Sequence, residues 1–313
     1  METNILDLPE KEYMLPGNRA CAGCGLAIAY RYILKALDSN VIFAVPASCL
    51  TVLQGMYPSS SVNVPCINVA FPSTAASACG VAAGLKALGN TDITVVAFAG
   101  DGGTYDIGIQ GLSGAAERST DMIYICYDNE AYMNTGNQRS GSTPLGATTA
   151  TTPILNKQQH AKDIPQIMEA HNVPYIATAC ASYPSDLYDK VRKARDKKGV
   201  LRYLHILAPC PPGWGFPTKE TVKIGRLCVE TGMFVLYENE DRTFRLTGKS
   251  AKMAQDGSKL KPMAECVGAQ GRFSNATEDQ LNKLQQWVNF GWEQCLRQNL
   301  VNQGEVLEKH QVP

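Results

Sequence analysis

The sequence predicts an α/β fold built on a doubly wound parallel sheet, followed by a C-terminal extension. Helical and strand patterns alternate over the first two hundred residues, which favours a parallel sheet. Residues 93–99 form a continuous β-branched and apolar run, and 122–127 form the next; such runs mark strands buried on both faces. With 313 residues, the chain is long enough for one large domain with an extension.

Composition and charge exclude several classes of function. Lys and Arg total 29, as do Asp and Glu, so the formal net charge is zero. No strong attraction to nucleic acid or an anionic membrane follows. No apolar run reaches the roughly 18 residues that span a bilayer. The acidic N-terminal segment lacks the basic start of a signal peptide, so we expect a cytoplasmic protein. Its eleven cysteines are then expected to be packing residues or metal ligands rather than disulfides.

The elements of the first part of the chain are predicted in order. Residues 1–18 form an extended arm that ends in Pro16-Gly17. An Ala- and Gly-rich helix at 73–88 suits close packing against a neighbour. Gly, Ser and Thr dominate 134–152, which predicts a long loop, and loops of that length are often functional. The other predicted helices are 25–37, a stretch that ends near 117, 164–171 and 185–197; the strands are 41–45, 66–69, 93–99, 122–127, 175–180 and 202–207.

The alternation stops at Pro209, Pro211, Pro212 and Gly213. We therefore take 19–210 as the α/β domain and 211–313 as an extension rather than a second full domain. The extension is predicted to hold a helix near 218–230, a strand at 233–237, a polar irregular stretch and a final helix near 277–300. We expect it, with Trp214, Trp287 and Trp292, to contact partner subunits or else to cover the sheet.

A glycine-rich turn, Ala99-Gly100-Asp101-Gly102-Gly103, follows the 93–99 strand. Such turns at the carboxyl end of a strand are where α/β sheets bind ligands. Glycines let backbone N–H groups approach phosphate oxygens, and the start of a helix favours their charge. A carboxylate such as Asp101 that faces phosphates needs a cation between them, and Mg²⁺ is the usual one.

A second turn, Asp128-Asn129-Glu130-Ala131-Tyr132, follows the next strand. Neighbouring parallel strands bring their carboxyl ends together, so the Asn129 amide oxygen and the Ala131 carbonyl could join Asp101 on one ion. The alternative is a pair of ordinary loops with turn residues, which the combination of both motifs disfavours.

The two turns together resemble the thiamine diphosphate motif, a GDG followed by Asn. The runs Gly100 to Gly108 and Tyr127 to Gly136, with Gln138-Arg139-Ser140 and Ser142-Thr143-Pro144, are more specifically similar to the β subunits of 2-oxoacid:ferredoxin oxidoreductases. The resemblance extends from about Gly17 to Leu236. It implies the thiamine diphosphate-binding type of α/β fold.

The cysteine pattern begins with Cys21-Ala22-Gly23-Cys24 and continues with Cys49. One CxxC serves zinc, redox and cluster sites alike. A metal or cluster site needs a fourth thiolate from far along the chain. The resembled family binds a 4Fe–4S cluster here, and its fourth ligand corresponds to Cys210, with Cys228 as a rival inside a predicted helix. The remaining cysteines are expected to be packing residues, and His160, His171, His205 and His310 to be structural or on the surface.

The resemblance also implies a mechanism and partners. Thiamine diphosphate with Mg²⁺ would serve oxidative decarboxylation of a 2-oxoacid, with coenzyme A as acyl acceptor and ferredoxin as electron acceptor. Asn134 would hydrogen-bond the substrate, and Val52 would form an apolar wall unless it is a core residue. A partner α subunit would supply the Glu at the aminopyrimidine ring, so the chain alone should be inactive; further subunits would carry ferredoxin-like clusters. The residues expected around the cofactor are Gly100, Asp101, Gly102, Gly103, Asn129, Ala131, Thr135 and Cys49.

Several alternatives remain open at this point. Pyruvate is the default substrate, but 2-oxoglutarate, branched-chain and aromatic 2-oxoacids are handled by similar subunits, as is oxalate without coenzyme A. A non-redox thiamine enzyme with a structural zinc would also carry these motifs. A non-catalytic α/β binding protein would have no use for Asp101 together with Asn129.

Overall fold

The computed structural model describes residues 3–255 and 260–302. Within this part of the chain, one sheet has the strand order β2-β1-β3-β4-β6-β5-β7-β8. The first six strands are parallel to their neighbours, which confirms the predicted fold class. The strands are β1 Val41–Pro46, β2 Cys66–Val69, β3 Thr94–Gly100, β4 Met122–Asp128, β5 Tyr175–Cys180, β6 Leu201–Leu207, β7 Tyr237–Glu240 and β8 Thr243–Leu246.

The helices predicted up to residue 230 are present, but α2 Cys49–Gln54 and the short α7 Pro211–Trp214 were not predicted. The stretch predicted to be helical up to 117 is divided: a wide π-type turn spans Gly102–Asp106 and a regular helix follows it. The helices are α1 Gly25–Leu37, α2 Cys49–Gln54, α3 Thr74–Ala87, α4 Ile109–Glu117, α5 Ile164–Ala170, α6 Pro184–Asp196, α7 Pro211–Trp214, α8 Thr221–Glu230, α9 Gly248–Gln255, α10 Met263–Gly268 and α11 Glu278–Asn302.

Helices cover both faces of the sheet, as a doubly wound fold requires. On one face α1 and α6 pack over a core that contains the rings of Tyr30, Phe43 and Phe98. On the other face α3, α4 and α5 contribute small side chains such as Ala78 and Ala115. Between these two layers, every residue of the strands β3 and β4 is buried.

The extension departs from its predicted structure. The strand predicted at 233–237 is wrong: β7 begins at Tyr237 and pairs antiparallel with β5, and β8 pairs with β7. The stretch predicted to be irregular contains β8, α9 and α10. Neither strand has an apolar run that would mark it in the sequence. The carboxylate of Glu238 in β7 is buried and accepts hydrogen bonds from Tyr175 and Arg245. The final helix is confirmed, and the domain boundary at 210 stays a prediction.

Among the described residues, no helix has the length and apolar character needed to cross a bilayer.

Candidate active site

The two predicted turns meet at one edge of the sheet. Strands β3 and β4 are neighbours, with Gly100 opposite Tyr127. Asp101 and Asn129 each follow directly after one of these strands. A small cavity of about 50 Å³ lies between the turns. All the residues predicted around a cofactor line it: Gly100, Asp101, Gly102, Gly103, Asn129, Ala131, Thr135 and Cys49.

Three oxygen-bearing groups converge in this cavity. One terminal atom of the Asn129 amide lies 2.8 Å from the Ala131 carbonyl oxygen and 3.1 Å from Asp101 Oδ1. With its nitrogen at that position, the amide donates to both groups. With its oxygen there, three oxygens face one another without a donor, which is the ligand set that Mg²⁺ prefers. These residues therefore fit a divalent cation.

Two serines of one loop, Ser140 and Ser142, hydrogen-bond the carboxylates of Asp101 and Asp128. Ser140 Oγ donates to Asp101 Oδ2 at 2.5 Å, and Ser142 Oγ donates to Asp128 Oδ2 at 2.5 Å. Lys157, which the sequence did not single out, is buried and donates to the carbonyl oxygens of Ser140, Gly141 and Thr143. Burial lowers the pKa of Lys157 to about 8. The loop is thus an ordered support for the two turns.

The two aspartates have opposite electrostatic environments. Burial, and then the nearby Asp128, raise the pKa of Asp101 well above its usual range. Burial alone would raise the pKa of Asp128 too, but hydrogen bonding and charge from His205 outweigh it and leave that pKa below its usual value. His205 Nε2 lies 3.0 Å from Asp128 Oδ2, and Tyr105 donates to the same oxygen. A bound cation would compensate the charge of Asp101.

The predicted histidine roles agree with their surroundings. His205 is buried behind Asp128 and has a structural role. The ring of His160 stacks on Trp287, and His171 binds Ser113. His310 lies outside the described residues.

Four cysteines from three separate segments line a second cavity of about 320 Å³. Cys21 and Cys24 precede α1, Cys49 begins α2, and Cys210 directly precedes α7. The backbone N–H of Gly25 donates to the Pro209 carbonyl at 3.1 Å, which brings the first and last of these segments together. The structure therefore places the four predicted ligands around one space.

Burial raises the pKa of three of these thiols, Cys24, Cys49 and Cys210. It raises the pKa of Cys49 to about 12, with the neighbouring thiols of Cys210, Cys24 and Cys21 as further causes. Burial also raises the pKa of Cys210 to about 11 and raises that of Cys24. In the described residues, no set of three or more His, Cys, Asp or Glu side chains converges as a ready metal site. A four-iron cluster is larger than one ion, so its thiolates surround a cavity rather than a point, and this cysteine set fits it.

The rival ligand Cys228 lies elsewhere. Its Sγ is 3.4 Å from Cys266 Sγ, inside the core that α8 and α10 form. The other cysteines are buried or half-buried, as predicted for packing residues: Cys66, Cys79, Cys126, Cys180, Cys266 and Cys295.

The two cavities adjoin. Four residues line both: Cys49, Asn129, Met133 and Asn134. Val52 also lines the cysteine cavity and is 46% exposed, so it is not a core residue. Asn134 and Val52 thus lie where the space beside the glycine turn opens towards the cysteines.

Sequence reasoning named Glu130 and Trp214 but missed Arg272, which joins them beside this site. Glu130 forms an ion pair with Arg272, and the Arg272 guanidinium stacks over Trp214. Trp214 is fully buried and Trp292 is 9% exposed, so both pack inside the chain, whereas Trp287 is 43% exposed. Partner contacts of the extension stay a prediction. No local pattern could have found Arg272, because it lies far along the chain from both of its partners.

Comparison with known proteins defines the class first. The family model for the C-terminal TPP binding domain of thiamine pyrophosphate enzymes matches residues 49–203. A solved 2-oxoglutarate:ferredoxin oxidoreductase from Magnetococcus marinus shares the fold, with a TM-score of 0.56 and 19% identity over 70% of this chain and 82% of that one. The fold is thus shared with a solved ferredoxin-linked oxidoreductase, and the match to the thiamine enzyme family includes both turns.

Two curated relatives are similar over nearly their whole length. Pyruvate synthase subunit PorB of Methanothermobacter marburgensis is 49% identical over 288 residues, 91% of this chain and 97% of that protein. Ketoisovalerate oxidoreductase subunit VorB of Pyrococcus horikoshii is 43% identical over 297 residues, 92% and 94% of the two chains. The chain belongs to this family, as a β subunit of a thiamine-dependent 2-oxoacid:ferredoxin oxidoreductase.

Proposed function

We propose that this chain binds thiamine diphosphate with Mg²⁺ and a 4Fe–4S cluster, and that its complex decarboxylates pyruvate oxidatively and passes the electrons to ferredoxin. The observation that carries the proposal is the pair of adjoining cavities. One is lined by the glycine turn and three oxygen ligands, the other by four cysteines, and they share Cys49 and Asn134.

The glycine turn would hold the diphosphate. Backbone N–H groups of Gly102 and Gly103 open the turn after β3, where phosphate oxygens are favoured. Asp101, Asn129 and the Ala131 carbonyl would hold Mg²⁺ against that diphosphate. When bound, thiamine diphosphate supplies the carbanion-stabilising chemistry of decarboxylation.

The cysteines would hold the cluster next to the cofactor. Cys21, Cys24, Cys49 and Cys210 would bind it as thiolates, so loading would release their protons. Because Cys49 lines both cavities, electrons would have a short path out of the cofactor site.

The remaining parts of the reaction fall on Asn134, Val52 and partner subunits. The Asn134 amide would hydrogen-bond the substrate, and Val52 would form an apolar wall. Glu130 is paired with Arg272, so it is not free to serve the aminopyrimidine ring. A partner α subunit would supply that carboxylate, and other subunits the ferredoxin-like clusters.

Metal analysis of two cysteine variants tests the cluster. The complex is purified anaerobically with its partner subunits, and iron, acid-labile sulfide and zinc are measured. Cys210→Ala should lose about four irons per complex compared with wild type, since a 4Fe–4S cluster needs four thiolates. Cys228→Ala is the matched control and should keep them, because its thiol contacts Cys266 instead. Zinc without sulfide in the wild type would overturn the redox function in favour of a structural metal.

A substrate panel tests the reaction. A branched-chain 2-oxoacid is the second candidate, because the Pyrococcus relatives named ketoisovalerate oxidoreductase are 42–43% identical to this chain. The complex is assayed with pyruvate, ketoisovalerate and oxalate, with and without coenzyme A. Turnover of oxalate without coenzyme A and none of pyruvate would replace the proposal with an oxalate oxidoreductase.

A further inference from the structure

We propose that Trp214, Arg272 and Glu130 form a bridge that positions the Asn129–Ala131 turn relative to the segment that begins at Cys210. The bridge would make Trp214 and Arg272 positioning residues for the diphosphate and its cation. This inference rests on the proposed function, and it gives a role to Trp214 and Arg272, which lie outside both motifs.

Direct contacts connect the bridge to the turn. Trp214 Nε1 donates to the Asn129 carbonyl oxygen at 2.8 Å. The Arg272 guanidinium lies 3.9 Å from the centre of the Trp214 ring, and Arg272 Nη2 lies 2.5 Å from Glu130 Oε2. The turn is thus held through the backbone of Asn129 and through the side chain of the next residue.

The other end of the bridge is fastened to the cysteine segment and the extension. The backbone N–H of Trp214 donates to the Cys210 carbonyl oxygen at 2.8 Å. Arg272 Nε donates to Gln270 Oε1 at 2.8 Å, and the Arg272 carbonyl accepts from the N–H of Thr148 at 2.8 Å. Trp214 is fully buried and Arg272 is 6% exposed, so neither side chain can move away without disturbing its neighbours.

The chemistry of the bridge favours a positioning role over simple packing. Buried ion pairs can often be replaced by apolar residues without loss of stability, so stability alone does not call for one here. Glu130 has a backbone φ of +63°, a conformation that costs free energy in a non-glycine residue and persists only when its surroundings hold it. Glu130 lies in the turn that carries two of the three proposed cation ligands, Asn129 and Ala131.

The test measures cation binding rather than turnover. The anaerobic complex is titrated with Mn²⁺ in the presence of thiamine diphosphate, and free Mn²⁺ is followed by room-temperature EPR. Trp214→Phe keeps an aromatic ring under the Arg272 guanidinium but removes the indole N–H that donates to the Asn129 carbonyl oxygen. Residues that orient metal ligands typically change affinity 10- to 100-fold when mutated, so we expect the Mn²⁺ Kd to rise about ten-fold. Arg272→Lys, which keeps the charge but loses the planar stack, should act in the same direction.

The control is an arginine of the same extension that pairs with a glutamate away from the site. Arg245 donates to Glu238 from a position that is 59% exposed. Arg245→Gln should leave the Mn²⁺ Kd unchanged. Iron content and the thermal midpoint are measured for every variant, and Trp214→Phe should keep both close to wild type.

The outcomes separate the two proposals. A wild-type complex that binds no Mn²⁺ with thiamine diphosphate overturns the proposed function. Wild-type binding with an unchanged Kd in Trp214→Phe overturns the bridge alone. A rise in Kd that is accompanied by a loss of iron and a lower thermal midpoint means general destabilisation. That result also overturns the positioning role.

Discussion

Asp101 carries a charge that the fold accommodates poorly. It is 2% exposed, and its Oδ2 accepts from Ser140 while its Oδ1 faces Asn129. Burial and the neighbouring Asp128 raise the pKa of Asp101, which means that its ionised form destabilises the folded chain without a cation. Functional sites often carry such a cost, because the ligand is what offsets it.

Asp101→Asn should therefore stabilise the cation-free protein and abolish its response to ligand. Because its folded-state pKa is raised, Asp101 lowers stability as pH rises above the unfolded-state value of about 3.9, and the neutral amide removes this effect. We expect the thermal midpoint of the complex in chelator to rise by about 2 °C or more, the shift that about 1 kcal/mol produces in domains of this size.

The same measurement is repeated with Mg²⁺ and thiamine diphosphate. Wild type should gain stability by binding, and the variant should not. Asp92→Asn, at an exposed position, is the control and should behave as wild type. A lower midpoint for Asp101→Asn in chelator would contradict this account of its charge.

At the scale of elements, the start of α1 determines where the cysteines meet. A Cβ on Gly25 would lie 2.6 Å from the Pro209 carbonyl oxygen and 2.8 Å from the Ala208 carbonyl carbon. Both are backbone atoms, so they cannot give way as a flexible side chain would. The close approach that glycine permits brings Cys24, at the beginning of the helix, to the same cavity as Cys210.

Gly25→Ala should separate the two segments. We expect destabilisation of about 1–3 kcal/mol, typical of overpacking, and a loss of iron from the anaerobic complex. Gly80→Ala on α3 is the matched control, since nothing lies within 4 Å of its Cβ. Alanine favours a helix interior by up to about 1 kcal/mol over glycine, so Gly80→Ala should keep its iron and its stability. Full iron content in Gly25→Ala would show that the contact does not matter for the cysteines.

For the whole molecule, the extension is joined to the sheet through a buried carboxylate. Glu238 of β7 accepts from Tyr175 of β5 at 2.5 Å and from Arg245 of β8 at 2.8 Å. Burial would raise the pKa of Glu238, but the Tyr175 hydrogen bond and the charges of Lys190, Lys193 and Arg245 together leave it below its usual value. One ionised side chain thus connects three strands.

This arrangement predicts an acid-sensitive contribution to stability. Because the folded-state pKa is lowered, the contribution is fully present above the unfolded-state pKa of about 4.3, and it is lost as pH falls through the folded-state value. Glu238→Gln should lower the urea midpoint at pH 7 and show a smaller further loss below about pH 4 than wild type. Glu293→Gln, 61% exposed on α11, should follow the wild-type curve, and parallel curves for Glu238→Gln and wild type would contradict the prediction.

Features that depend on a short run of residues could be predicted from the sequence. Features that depend on contacts between distant segments could not. The parallel strands, the GDGG turn and the Asn129 turn were recognisable because each is a short run with its own pattern. The strand at 233–237 was misplaced because β7 is polar, and its burial depends on partners from β5 and β8. Cys228 could be set aside by its helical context, but only the packing of α8 on α10 showed Cys266 as its neighbour.

By itself, the sequence determined the α/β class, the family resemblance and the residues around the glycine turn, since these depend on local runs and on the rule that neighbouring parallel strands end together. Only the tertiary structure decided that four separate cysteines line one cavity, that this cavity adjoins the turn, and that Trp214 and Arg272 reach Asn129 and Glu130. The physical reason is that a contact between distant segments leaves no periodicity in either one. It arises from how the helices and the extension pack on the finished sheet.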